Sequence, residues 1–263
     1  MKIKKNSAFT LIETMVALVI STIAVAAMYN AYLFFNKSYQ GLLDKAAISN
    51  AGRTSLSVIA KDLRNAGYKD MNYSRAFDRW IEQTDNYNST GADSLVIWYN
   101  TSPTERLRIR YYLKKYPTGK DMFLAREVVE NPTNSPKLRH CQRYTSQKNC
   151  EPQNIVPFVT DFQVVFNDQN GNPLSLVCAD KASVSQAAPS TPSCSTAGIA
   201  NQSKVHTAEV YLTVRSPNEI YQKNKIIKII NYNPSTGREQ TITDRYHRET
   251  FFISVYLRNI VKI

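Results

Sequence analysis

The chain has 263 residues, 43% hydrophobic, 11% aromatic and 21% charged. That length holds one large domain or two small ones, and the composition excludes intrinsic disorder or a coiled coil as a description of the whole. Thirty-three Lys and Arg against 21 Asp and Glu give a net charge of +12, which invites an anionic partner such as nucleic acid or a membrane surface. Mean hydropathy is on the polar side, yet the apolar residues are concentrated, not spread.

They gather at the N-terminus. Residues 1–8 carry Lys2, Lys4 and Lys5 and no acid, and no charge occurs from Thr14 to Asn36. About 20 apolar residues cross a bilayer as a helix, which satisfies its own backbone in lipid. The basic leader predicts a cytoplasmic N-terminal side, with the remainder outside. A cleaved secretory signal has a shorter apolar core closed by a small-x-small site. Ala24–Ala27 offers such a site, but the apolar run continues to Phe35. A plain signal anchor leaves Glu13 unexplained, since a charge in a membrane segment costs roughly 2.5–3.5 kcal/mol and marks function by default.

Lys4-Lys5-Asn6-Ser7-Ala8-Phe9-Thr10-Leu11-Ile12-Glu13 resembles the N-terminal motif of type IV prepilins and of the related pseudopilins of type II secretion. The resemblance implies that an inner-membrane prepilin peptidase cuts between Ala8 and Phe9 and methylates the new Phe9 N-terminus. The family has Gly where this chain has Ala8; Ala is the smallest alternative, so cleavage is expected, at a lower rate. Cleavage leaves a second membrane charge, the Phe9 ammonium. Four residues along a helix place Glu13 about 6 Å away, one turn on. A neighbouring helix shifted axially by that amount would set its Phe9 ammonium against this carboxylate, and breaking such a buried pair costs ~3–5 kcal/mol. Glu13 and Phe9 are thus expected to set subunit register, the role the family gives that glutamate.

All eleven prolines lie at or after Pro103, so the helix is expected to run on to Ala66. Leu42, Ala46, Leu56, Ile59 and Leu63 form its apolar stripe, and Gly67 is its expected C-cap. Gly41 and Gly52 are points where it could bend. The expected division is a leader at 1–8, a membrane and assembly half at 9–36, an amphipathic half at 37–67, and a periplasmic β-rich domain at 68–263. The fold class is α+β, a long N-terminal helix on an antiparallel sheet, as in pilins.

Asp62-Leu63-Arg64-Asn65-Ala66-Gly67-Tyr68 is similar to minor pilins of the PilW type. Val159–Phe166 with Asp168 and Gly171, and the closing stretch from Arg245 to Arg258-Asn259, are similar to the same group. The resemblance is strong over the N-terminal quarter and patchy beyond it. Strands are expected at Ser94–Asn100, Leu107–Lys114, Met122–Val129, Val159–Asn167, His206–Arg215, Lys225–Tyr232 and Thr250–Arg258. The Leu107–Lys114 strand is expected to be half-buried, with Arg106, Arg108, Arg110 and Lys114 on a cationic outer face. Asp168–Gly171 and Asn233–Gly237 read as turns, and Ser183–Ser203 as a Ser/Ala/Pro-rich surface loop.

Cys141, Cys150, Cys178 and Cys194 all fall outside the membrane by this topology, in an oxidising compartment where they can pair in three ways. Cys141–Cys150 and Cys178–Cys194 are favoured, because each closes a short loop. The spacings match no zinc ribbon or finger. Asp168, Asn170 and Asn172 alternate like the start of a calcium loop, but the downstream Glu is missing, so a hairpin turn is expected. His140, His206 and His247 lie in unrelated contexts, and no nucleophile elbow, phosphate loop or dinucleotide fingerprint occurs. Neither an enzyme, a metal nor a cofactor is expected.

The resemblance implies a minor pilin that helps initiate or cap type IV pilus assembly in a tip complex. Its partners would be other minor pilins, the major pilin and a tip adhesin. It would sit in the inner membrane before assembly and in the extracellular pilus afterwards. One alternative is a minor pseudopilin at the tip of a type II secretion pseudopilus. Another is a DNA- or surface-binding adhesive pilin, in which Arg106/Arg108/Arg110/Lys114, Lys223/Lys225/Lys228 and Arg245/Arg248 meet phosphates. For these groups a solvated face, or one matched to acidic filament neighbours, is favoured over DNA.

Overall fold

A computed structural model of the chain describes residues 10–69, 80–84, 92–102, 105–116, 121–130, 137–138, 152–174, 178–179, 193–194, 201–230 and 239–260. One helix, α1, runs uninterrupted from Leu11 to Asn65. The absence of proline allows this length, and the Ser, Thr and Asn hydroxyls and amides within it fold back onto the helix. Thr14, Ser21 and Thr22 donate to the carbonyls of Leu11, Leu18 and Val19 at 2.8–2.9 Å, each three residues back, and Asn30 donates to Ala26 at 3.0 Å. Such bonds give each of these side chains a donor–acceptor pairing within the helix itself. The chain divides into two compact units, Met1–Ala46 and Ala47–Ile263, and α1 contributes to both.

In the first unit the large apolar side chains from Leu11 to Leu43 are 45–80% exposed. Leu42 belongs to this exposed set, so the expected stripe is buried only from Ile48 onward. In the second unit Ile48, Leu56, Ile59 and Leu63 of α1 are buried. Each contributes about 1.5–3 kcal/mol relative to exposure.

Strand order explains what the helix packs on. The strands are β1 Ile81–Thr84, β2 Ser94–Asn100, β3 Arg106–Lys115, β4 Met122–Glu130, β5 Lys137–Leu138, β6 Gln153–Pro157 and β7 Val159–Asn167. They continue as β8 Pro173–Leu174, β9 Cys178–Ala179, β10 Ser193–Cys194, β11 Thr207–Glu219, β12 Lys225–Ile230, β13 Glu239–Asp244 and β14 Tyr246–Tyr256. Among the described residues all ladders are antiparallel. One sheet has the order β1-β2-β3-β4-β5, with β6 also on β4; a second has the order β14-β11-β7-β8. Two ribbons, β9-β10 and β12-β13, complete the set.

The period of two decides which side chains meet the helix. On β3, Leu107, Ile109, Tyr111 and Leu113 are buried in the common core, as are Phe162, Val164 and Phe166 of β7 and Val210 and Leu212 of β11. The chain passes from the first sheet to the second through one residue, Phe158, whose φ is 56°. Its carbonyl accepts from Arg215 at 2.9 Å, and the Arg215 guanidinium lies 5.4 Å from its ring centroid.

Ser94–Asn100 and Val159–Asn167 have the expected bounds, and the other expected strands recur with shifted ends. Several elements differ from expectation: the two-residue strands β5, β8, β9 and β10 are not among those expected, and β10 falls within the expected Ser183–Ser203 loop. The short, polar β1, β6 and β13 are strands, because neighbouring strands supply the ladder that their own sequences do not announce. Helix α1 runs unbroken through Gly52, which gives room, since a Cβ there would stand 2.2 Å from the Phe251 ring. The β3 arginines are not a solvated face either: Arg106 and Arg108 are only 8% and 6% exposed. Alternation assigns residues to a face, but does not say whether that face is covered.

Helix α1 closes as its sequence suggests. Gly67 has φ 73°, and its N–H donates to the Trp98 carbonyl of β2 at 2.9 Å. Tyr68 N–H returns to Asn65 at 3.0 Å, so the glycine serves both as left-handed terminator and as a point of close approach.

Candidate assembly site at the helix N-terminus

The N-terminal turn is built by Thr10 and Glu13. Thr10 N–H donates to Glu13 Oε2 at 2.9 Å, and Thr10 Oγ1 donates to the same oxygen at 3.0 Å. In return Glu13 N–H approaches Thr10 Oγ1 at 3.4 Å. A Thr three residues before a Glu, with reciprocal bonds, is a capping box. The spacing was visible in the sequence, although the reading there gave Glu13 only a partner on another chain. Within a single chain the carboxylate is therefore held against its own first turn, where the helix dipole also favours a negative charge.

Around it lies an apolar helix surface. Leu11, Ile12, Met15, Val16, Leu18 and Val19 are 52–80% exposed. That is far more contiguous apolar surface than a soluble monomer leaves bare, and α1 is long and apolar enough to cross a membrane. The chemistry available here is limited to a carboxylate acceptor and a close-packing surface. It suits docking of like helices. Ala8 and Phe9, the expected cleavage site, lie outside the described residues, as do Cys141, Cys150 and the expected turn at Asn233–Gly237. Cys178 and Cys194 are described as backbone in β9 and β10.

The other end of the helix is fixed by a network that the sequence reading missed. Asp62 is 4% exposed and accepts from Arg126 Nε at 3.0 Å and Nη2 at 2.9 Å. The Tyr111 hydroxyl of β3 also donates to Asp62, and Arg126 Nε reaches that hydroxyl at 3.1 Å. Burial, then the Asp62 charge, pushes the Tyr111 phenol well above its ordinary value. Asp62 was singled out only for its place in a motif; its partners lie 49 and 64 residues away, beyond the reach of local pattern.

Most of the basic clusters turn out to be internally occupied. Arg108 donates to Glu127 at 3.2 Å, and burial, with Arg110 adding, lowers its pKa. Arg106 stacks 4.4 Å from the Trp98 ring. Arg248 grips Asp244 through two bonds of 2.6 Å, which lowers the Asp244 pKa, and Arg245 pairs with Glu219 at 2.5 Å. Lys223, Lys225 and Lys228 are exposed, with Lys225 Nζ 4.0 Å from the Tyr221 ring.

The Asp168–Gly171 turn is formed by Asp168 accepting from the N–H groups of Asn170 and Asn172 at 2.8 Å, with Gly171 at φ 81°. His206 lies beside Tyr256, whereas His247 bonds Tyr221 at 2.9 Å, so the two described histidines do not meet. Among the described residues no group of three or more His, Cys, Asp or Glu could hold a metal ion.

A type IV-like pilin from Thermus thermophilus aligns over 81% of this chain and 97% of its own, at 14% identity and a TM-score of 0.46. No curated protein matches the sequence. Residues 3–29 match the family model of the prokaryotic N-terminal methylation motif. The capping box and the bare apolar helix face thus fall within, or directly follow, a segment that carries the prokaryotic N-terminal methylation motif.

Proposed function

We propose that the chain is a minor type IV pilin of the PilW type, a structural subunit that helps initiate or cap the pilus in a complex with other minor pilins. The observation that carries this reading is the methylation motif at residues 3–29 set on an unbroken helix whose large apolar side chains from Leu11 to Leu43 are exposed among the described residues. In this reading a prepilin peptidase removes residues 1–8 and methylates Phe9. The helix is then held in the inner membrane, with the β-rich domain in the periplasm, until assembly. Lipid is exchanged for the helices of neighbouring pilins on entry to the filament. Glu13 leaves its capping box to accept a neighbour's Phe9 ammonium, which selects one axial register.

Mass spectrometry of the mature chain tests the first step, with N-methyl-Phe9 expected as its first residue. Glu13→Ala is then expected to leave processing and membrane insertion intact, while reducing incorporation into sheared pili at least tenfold. A deletion strain that keeps its pili and loses release of exoproteins would instead assign the subunit to a secretion pseudopilus. An intact leader, or full function of Glu13→Ala, would overturn the reading.

A further inference from the structure

Four cysteines allow three pairings, and the backbone of the β9–β10 ribbon distinguishes among them. Its register sets Cys194 directly opposite Cys178, with Ser193 opposite Ala179. Directly opposed residues of an antiparallel ladder have Cα atoms about 4.5–5.5 Å apart, within the ~4.4–6.8 Å range of a disulfide. The ribbon is also too short to persist on hydrogen bonds alone. Each strand has two residues, residues 180–192 separate them, and β8 and β11 belong to another sheet. An isolated two-stranded ladder is marginal even at hairpin length, and closing the intervening loop adds an entropic cost. A covalent link at the ladder removes that cost from the folded state's side of the balance.

We infer that Cys178 and Cys194 form a cross-strand disulfide that closes residues 179–193 into a covalent loop beside β1, and that Cys141 and Cys150 form the other pair. β9 lies against β1, the edge strand of the first sheet, so the cystine fastens the β9–β10 ribbon beside that edge. Formation needs an oxidant, a protein disulfide of the extracytoplasmic compartment. The Cys178 thiolate attacks it to give a mixed disulfide, and the Cys194 thiolate displaces the oxidant's sulfur. One S–S bond forms here and one breaks in the oxidant, which leaves as a dithiol carrying the two electrons and two protons. The inference rests on the proposed topology for access to that oxidant, and on the ribbon for the choice of partner.

The full chain, extracted in detergent from membranes and alkylated before lysis, decides the pairing by mass spectrometry of non-reduced peptides. Trypsin together with a protease cutting before Asp yields Asp168–Ala179, Ala182–Lys204, His140–Arg143 and Asn149–Thr160, each with one cysteine. The expected links join the first two and the last two, and Cys178→Ser is expected to free one thiol, at Cys194, while leaving Cys141–Cys150 linked. A link from Asp168–Ala179 to either of the last two peptides overturns the inference and leaves the topology standing, as does a free Cys178 beside a linked Cys141–Cys150. Four alkylated thiols fault the compartment instead. Oxidation of the purified chain in a glutathione redox couple then decides the pairing by the same peptides: a Cys178–Cys194 link supports it, any other overturns it.

Discussion

From Leu11 to Leu43 the large side chains of α1 stand 45–80% exposed, whereas from Ile48 to Leu63 the same helix buries one face and anchors Asp62 in a charged network. The backbone is continuous, and only the side chains change. In the first stretch the side-chain hydrogen bonds stay within the helix, in the Thr10–Glu13 box and from Thr14, Ser21, Thr22 and Asn30 to preceding carbonyls. In the second, polar atoms reach out to strands far away in sequence. The difference teaches what each half is for. A segment that bonds only to itself can exchange one apolar environment for another without breaking anything, while a segment tied to β3 and β4 cannot slide.

The largest effect should come from cutting that tie. Arg126→Met leaves a carboxylate buried with only a phenol for company, and loss of one partner of such a pair costs about 3–5 kcal/mol. Urea unfolding of the full chain in detergent, followed by tryptophan fluorescence, checks this. Trp80 and Trp98 are the two tryptophans, and both lie in the second unit, so the signal excludes the bare half of the helix.

Asp161 sharpens the comparison from the sheet side. It is 3% exposed, and burial, opposed by a bond from Gln163, raises its pKa to about 6. A carboxyl raised in the folded state stabilises the fold below the ordinary Asp pKa, and that stability is lost as pH rises towards 6. Asp161→Asn is therefore expected to raise stability at pH 7.5 by about 2 kcal/mol and to flatten the dependence between pH 4 and 6. Wild-type stability that is level over that interval would contradict the assignment.

Gly52→Ala probes the close approach to Phe251. Overpacking costs about 1–3 kcal/mol, offset by the helix preference for Ala of about 1 kcal/mol, so a net loss of up to about 2 kcal/mol is expected. Adding Phe251→Leu should recover part of it; additive losses would show that the two sites do not touch.

Thr10→Ala acts at the other end and should be the mildest. Loss of the cap costs about 1 kcal/mol, read as several-fold faster hydrogen exchange at the first amides of α1 in detergent micelles, with urea stability of the domain unchanged.

The sequence made the helix and its two surroundings readable, because charge and proline are absent over long stretches and those signals are local. The strands with continuous or alternating apolar residues, such as Ser94–Asn100 and Val159–Asn167, were readable for the same reason. β1 and β13 were not: Ile-Glu-Gln-Thr and Glu-Gln-Thr-Ile-Thr-Asp carry little strand preference, and pairing makes them strands. At the N-terminal site the motif was plain, and so was the Thr-x-x-Glu spacing, yet the intrachain partner of Glu13 emerged only with coordinates. Asp62, Tyr111 and Arg126 form the case that no local reading reaches, since the charges meet across the sheet.

The passage through Phe158 has its own consequence for how the domain comes apart. A non-glycine residue in the left-handed region holds about 1–3 kcal/mol of conformational energy, retained because Arg215 fixes it from the neighbouring strand. Asp93 adds a second join, donating its N–H to Phe162 and accepting from the Val164 N–H at 2.9 Å. With the sheets sewn together at both places, opening one would break its joins to the other, so the Ala47–Ile263 unit is expected to unfold in one cooperative transition in place of two.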